Sequence, residues 1–206
     1  MSAAAELTRE AAKQVAVVHS KEALTRFLQP DCAAAVWQRE LTPEFTAWIA
    51  SLAKHHLPEG RLVLPANRIA DAVAQLCDAA NMPDGEQRKW LISDIAELGE
   101  RFAQIMGVDH VRLRLERVSD NACSKFHIDT MVARLVCTYR GTGTQYGLVT
   151  LSPDPDHIAT TPAGSPLLLK GHLWPDAPPA HFKHRSPPIE GSGETRLVLV
   201  LDPGEE

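Results

Sequence analysis

The chain has 206 residues, 44% of them hydrophobic, enough to bury one substantial core or two small ones. A formal net charge of -5 leaves no basic surface large enough to neutralise a phosphate backbone, so nucleic acid is not an expected partner. No stretch approaches a membrane span, and the N-terminal "MSAAAELTREAAKQVAVVHS" carries charges where a signal peptide needs an unbroken apolar run, so a cytoplasmic protein is expected.

Four cysteines, Cys32, Cys77, Cys123 and Cys137, are widely spaced with no Cys-x-x-Cys, as expected of reduced thiols; this excludes a zinc ribbon but not a zinc site using one or two of them. Up to Met106 the apolar spacing is helical. Short helices are expected over residues 20–27 and 31–39. A longer one begins at Thr42, a good N-cap followed by Pro43, and carries Phe45, Trp48, Ile49 and Leu52 on one stripe. "ANRIADAVAQLCDAA" repeats the pattern with Ile69, Val73, Leu76 and Cys77. "DGEQRKWLISDIAELGERFAQIMG" continues it until Gly107 ends it.

After Gly107 the period becomes two. "VDHVRLRLERV" alternates Val111, Leu113 and Leu115 with Arg112, Arg114 and Glu116, a half-buried strand. "TMVARLVCTYR" is apolar on both faces apart from Arg134 and Thr138, which predicts a central strand. "SPLLLKG", "AHFKHR" and "TRLVLVLD" read as short strands between turns rich in Gly and Pro. The order implies an α+β protein in one compact unit, with helical residues 1–106 packed on a small antiparallel sandwich or barrel formed by residues 107–206.

At the start of the central strand stands "FHID", residues 126–129. His127 and Asp129 at i and i+2 on a strand end point the same way, so both can reach one ion. Two histidines and a carboxylate on one face of a metal, with the other positions open, make a non-haem Fe(II) site. The same tripeptide also suits a solvated bend in which Asp129 caps a turn. His184, ending a short strand, offers the second histidine. Beyond a hairpin, Arg196 enters an otherwise apolar strand, which is costly without an anion; a dicarboxylate co-substrate or an internal carboxylate would serve.

The order of these residues resembles the prolyl-hydroxylase-like branch of the Fe(II)/2-oxoglutarate dioxygenases. It runs "FHID", "ARLVCTY", "GTGTQY", "GSPLLLKG", then His184 and Arg196. The resemblance implies a double-stranded β-helix of jelly-roll or cupin type, with His127, Asp129 and His184 as iron ligands. It further implies that Arg196 binds 2-oxoglutarate and that Tyr139 makes a second contact to it. A wider resemblance, through "CAAAVWQREL", "FHIDTMVARLVCTYRGTGTQY", "LLLKG" and "HRSPP", is to the bacterial family called domain of unknown function 1826. Its genes often lie near zinc-uptake and zinc-chaperone genes, which implies a role under metal limitation.

Two readings therefore stand: an oxygenase of unknown substrate, or a non-catalytic zinc-binding protein using the same three residues with a thiolate or water as fourth donor. A thiolate beside the triad would favour zinc, and an open side facing Arg196 would favour the oxygenase. His172 is the best substitute for His184. His181 points to the opposite face if its segment is extended. Trp174, in a loop, is placed to cover the mouth of the pocket.

Overall fold

The computed structural model describes residues 14–149, 153–175 and 182–204. Among the described residues, ten strands form two sheets. They are β1 (Gln14–Val18), β2 (Cys32–Trp37), β3 (Gly60–Pro65), β4 (His110–Val118), β5 (Ala133–Arg140), β6 (Gln145–Leu148), β7 (Ala159–Thr160), β8 (Leu167–Lys170), β9 (Phe182–Arg185) and β10 (Arg196–Pro203). The larger sheet has seven strands in the order β1-β2-β8-β5-β10-β4-β3, and the smaller has three in the order β7-β6-β9. Every pairing is antiparallel except β1 with β2.

Three helices, α1 (Pro43–Ser51), α2 (Ile69–Ala79) and α3 (Glu86–Met106), pack on one face of the larger sheet. Thr42 caps α1, its side chain accepting from Phe45 N at 3.2 Å, and Gly107 closes α3 in the left-handed conformation at φ 65°. The alternation along the strands decides which residues meet these helices. Val111, Leu113 and Leu115 of β4, Leu135 and Cys137 of β5, and Leu197, Leu199 and Leu201 of β10 share the main core with Leu91, Ile95, Leu98 and Phe102 of α3.

A buried polar cluster pins α3 to β5. Arg39 makes a two-pronged contact to Asp94 at 2.6 and 2.7 Å, Tyr139 donates to Asp94 Oδ2 at 2.6 Å, and the Arg39 guanidinium lies 4.4 Å from the Trp37 ring centre. The opposite face of the large sheet has two apolar patches. Ala34, Val36, Leu167 and Leu169 pack on Phe182, Tyr146 and Leu148 of the small sheet. Val136, Val198 and Val200 form the other, flanked by Val118.

The expectation of a helical first half is corrected. Residues 60–65 are a strand, and β1, β2 and β3 all join the large sheet, so the division at residue 106 does not separate helices from strands. Residues 31–39 hold no helix. "CAAAVW" reads as helical because alanine favours helices, yet β2 lies between β1 and β8 with Ala33, Ala34, Ala35 and Val36 buried. Ladder hydrogen bonds on both edges and burial on both faces outweigh the intrinsic preference of small side chains. Residues 22–28 form a 3-10 helix close to the expected position.

Candidate metal centre

Two backbone contacts build the site before any side chain is considered. His127 and His184 form an antiparallel bridge, with His127 N donating to His184 O at 3.0 Å and His184 N to His127 O at 3.1 Å. This sets the two imidazoles 4.5 Å apart, centre to centre, at the edge of the small sheet. Asp129 is held from the other side. Gly171 N donates to Val132 O, His172 N to Asp129 O and Leu173 N to Met131 O, all at 2.9 to 3.0 Å. Gly171 is required there, because a Cβ would lie 2.0 Å from Met131 O and 2.8 Å from Asp129 O.

The result brings one ligand atom each of His127, Asp129 and His184 within 4.8 Å of one another. His127 Nε2 lies 3.5 Å from Asp129 Oδ1, and His184 Nε2 lies 3.3 Å from Asp129 Oδ2. Donors at about 2.1 Å from a shared ion sit roughly 3.0 Å apart in octahedral and 3.4 Å in tetrahedral geometry, so these spacings suit a common metal of either kind. His127 Nδ1 faces Lys125 O at 2.8 Å; as a donor there it leaves Nε2 with a free lone pair toward Asp129. Asp129 Oδ2 and His184 Nδ1 are buried without a hydrogen-bond partner among the described residues. A buried carboxylate oxygen with no donor is a site wanting a cation.

Asp129 is 8% exposed, and burial pushes its carboxyl up; the two imidazoles and Arg134 outweigh this and hold it well below the usual carboxylate range. Asp129 pushes His127 up, whereas burial pulls His184 down against the same carboxylate. Arg134 places the carboxylate. Its Nη1 lies 2.9 Å from Asp129 Oδ1, while Nε and Nη2 grip Asp202 at 2.7 and 2.9 Å. Oδ1 of Asp129 is thereby occupied, with His127 beyond it, while Oδ2 faces His184.

Sequence reasoning missed this Asp202–Arg134–Asp129 chain. The signal was present: Arg134 and Thr138 are the polar exceptions in β5, and Asp202 shares the parity of Arg196, Val198 and Val200 in β10. All are on the face turned from the helices.

That face is the wall of a cavity of about 120 Å3, lined by the triad and by Arg114, Glu116, Cys123, Arg134, Arg185, Ser186 and Arg196, among others, over a floor of Val136, Val198 and Val200. Arg196 is 1% exposed. Its Nε donates to Thr142 O at 2.6 Å, Nη1 to Ser186 Oγ at 3.3 Å and Nη2 to Thr138 Oγ1 at 3.2 Å. No described carboxylate makes an ion pair with it, and burial pulls its pKa from 12.5 down to about 10, Glu194 opposing. The expected hairpin between His184 and Arg196 is corrected: β9 and β10 belong to different sheets, so the two residues reach the cavity from opposite walls.

Tyr139 is not brought to the cavity. An odd-numbered residue of β5, it points into the main core, where its hydroxyl donates to Asp94, so it has no path to a co-substrate beside Arg196. Trp174 packs edge-on against Phe27 at 5.0 Å and does not line the cavity. His172 is exposed and contributes only its backbone, while His181 lies outside the described residues. Cys123 lines the cavity, but its sulfur is not among the gathered ligand atoms.

Residues 19–202 match the model of the family described as protein of unknown function (DUF1826). The chain belongs to this family. No curated protein matches it. Among solved structures, this DUF1826 chain is similar to the dioxygenase for auxin oxidation from rice, at 13% identity over 92% of this chain and 82% of that one, TM-score 0.49. It is also similar to the Arabidopsis thaliana dioxygenase for auxin oxidation 1, solved with 2-oxoglutarate, at 11% identity over 94% of each chain, TM-score 0.46. A cupin-2 domain protein from Shewanella frigidimarina matches at 14% identity over 46% of this chain and 71% of that one, TM-score 0.30. At these values none of them bears on the chemistry, which rests on this chain's own residues.

Proposed function

We propose that this protein is an Fe(II)- and 2-oxoglutarate-dependent dioxygenase. His127, His184 and Asp129 Oδ2 would hold the metal, and Arg196 the far carboxylate of the co-substrate. Together, iron(II) and 2-oxoglutarate supply oxidation of a substrate C–H bond by dioxygen, one oxygen atom entering the product and the other the succinate left when carbon dioxide departs.

The chain's own residues do the rest. Arg134 occupies Asp129 Oδ1, leaving a single carboxylate oxygen for the ion. Three protein donors would hold the ion and leave it able to take further ligands from a co-substrate. Val136, Val198 and Val200 give the co-substrate methylenes an apolar floor and keep water from it. One observation carries the reading: a guanidinium buried to 1% exposure, with no ion pair to any described carboxylate, shares a cavity with the metal triad. A charge so placed needs an anion from outside the fold.

The zinc-binding alternative calls for a fourth donor and gives Arg196 no task. No thiolate joins the triad among the described residues, which favours the oxygenase. The link to metal limitation that the family resemblance implies fits both. Anaerobic addition of Fe(II) and then 2-oxoglutarate to metal-free protein tests the choice. A visible charge-transfer band of a chelated co-substrate, absent with Zn(II), is the expected result. Tight Zn(II) binding with no response to 2-oxoglutarate would overturn it.

A further inference from the structure

A second guanidinium, Arg114, opens on the same cavity in two long ion pairs with carboxylates already engaged elsewhere. Arg114 sits on β4 opposite Val200, whose other neighbour is Val136, so it lies over the valine floor close to the Asp202–Arg134 pair that holds Asp129. Arg196 pairs with Val118, four residues further along the strand, or about 13 Å. One arginine is therefore at the metal end of the floor and the other at the far end.

The surroundings of Arg114 leave it short of acceptors. Its nearest carboxylates, Asp202 and Glu116, are 3.7 and 3.8 Å away, beyond hydrogen-bonding distance. Both are engaged elsewhere, Asp202 by Arg134 at 2.7 and 2.9 Å and Glu116 by Arg61 at 2.7 Å. Arg114 Nε is buried with no partner among the described residues. Around the cavity, four arginines (Arg114, Arg134, Arg185, Arg196) face three carboxylates, Glu116, Asp129 and, gripped by Arg134, Asp202. A divalent metal and a doubly charged co-substrate cancel each other, so loading the site leaves this positive excess in place.

We propose that Arg114 binds the primary substrate and that this substrate is a carboxylic acid. The inference rests on the dioxygenase reading for the word substrate, though not for the anion site itself. A guanidinium edge takes a carboxylate or a phosphate in two-pronged fashion, but a carboxylate brings one negative charge where a phosphate monoester brings close to two, and one charge is what Arg114 matches. The cavity is small, about 120 Å3, so the acid group enters from the mouth and the bulk of the substrate stays outside.

Fluorine NMR tests this with trifluoroacetate and its neutral counterpart trifluoroacetamide, added to protein holding Zn(II) and saturating 2-oxoglutarate so that Arg196 is occupied. The expected result is binding of the acid and not the amide, weakened about tenfold in Arg114→Gln and largely kept in Arg114→Lys, with 2-oxoglutarate affinity within twofold of wild type in both. Equal trifluoroacetate binding by wild type and Arg114→Gln, or equal binding of acid and amide, would overturn the site. Displacement of trifluoroacetate by inorganic phosphate at lower concentration than by acetate would overturn the carboxylic-acid class. Loss of 2-oxoglutarate in Arg114→Gln would assign Arg114 to the co-substrate and overturn its separate role. Arg114-dependent trifluoroacetate binding in a wild-type protein that takes up no 2-oxoglutarate would instead reject the dioxygenase reading and uphold the anion site.

Discussion

Replacing Arg196 with leucine separates what this residue does for the fold from what it does for a ligand. In the free protein, burial lowers its pKa from 12.5 to about 10, so the charge costs the folded state about 3 kcal/mol. Because the folded pKa of this base is depressed, the cost is present at every pH below about 10 and is relieved only as the pH rises through that value; stability should show no slope from Arg196 near neutrality. Against it stand three hydrogen bonds from a charged donor, to Thr142 O, Ser186 Oγ and Thr138 Oγ1, the last two long, each contributing about 1–1.5 kcal/mol. The two nearly cancel. Denaturant unfolding of the free Arg196→Leu protein should therefore fall within about 1 kcal/mol of wild type, where breaking a paired buried ion would cost about 3–5 kcal/mol. Calorimetric titration of the Zn(II)-loaded protein with 2-oxoglutarate should show the variant weaker by about 2 kcal/mol, roughly thirtyfold, with Zn(II) affinity unchanged. A variant destabilised by several kcal/mol, or one that binds 2-oxoglutarate as well as wild type, would refute the claim that Arg196 awaits an external anion.

His127→Ala and His184→Ala should each abolish tight divalent-metal binding, measured as metal content per chain after dialysis; unchanged content in both would remove the triad. Gly171→Ala should cost about 1–3 kcal/mol of stability and weaken metal binding as well, because the added methyl must push the backbone carbonyls of Met131 and Asp129 away. Tyr139→Phe should lower stability by about 1–3 kcal/mol through the lost bond to Asp94, and leave 2-oxoglutarate affinity unaltered; a selective loss of that affinity would put the hydroxyl back at the site. Asp94→Ala should be harsher, about 3–5 kcal/mol by urea unfolding, since it strands Arg39 in the core.

The sequence determined what period and chemistry alone can carry. Period two in "VRLRLERV" and "TRLVLVLD" sorted each strand into a row that meets the helices and a row that faces the cavity, because alternation is a property of the single strand. Cap residues Thr42 and Gly107 marked helix ends by local geometry. An arginine in a run of valines and leucines announced an unmet charge.

Only the tertiary structure decided what depends on neighbours distant in the chain. "CAAAVW" is a strand because β1 and β8 flank it, and its own alanines argue the other way. Tyr139 belongs to the core because Asp94, 45 residues earlier, lies on the helical side of β5. His184 and Arg196 face each other from two sheets, since the turn between them carries the chain across the cavity and does not fold it back as a hairpin. The carboxylate of Asp129 is aimed by Arg134 and Asp202, and its backbone by Gly171. These contacts join residues up to 68 positions apart, and no local pattern in the chain encodes the packing that closes such a distance.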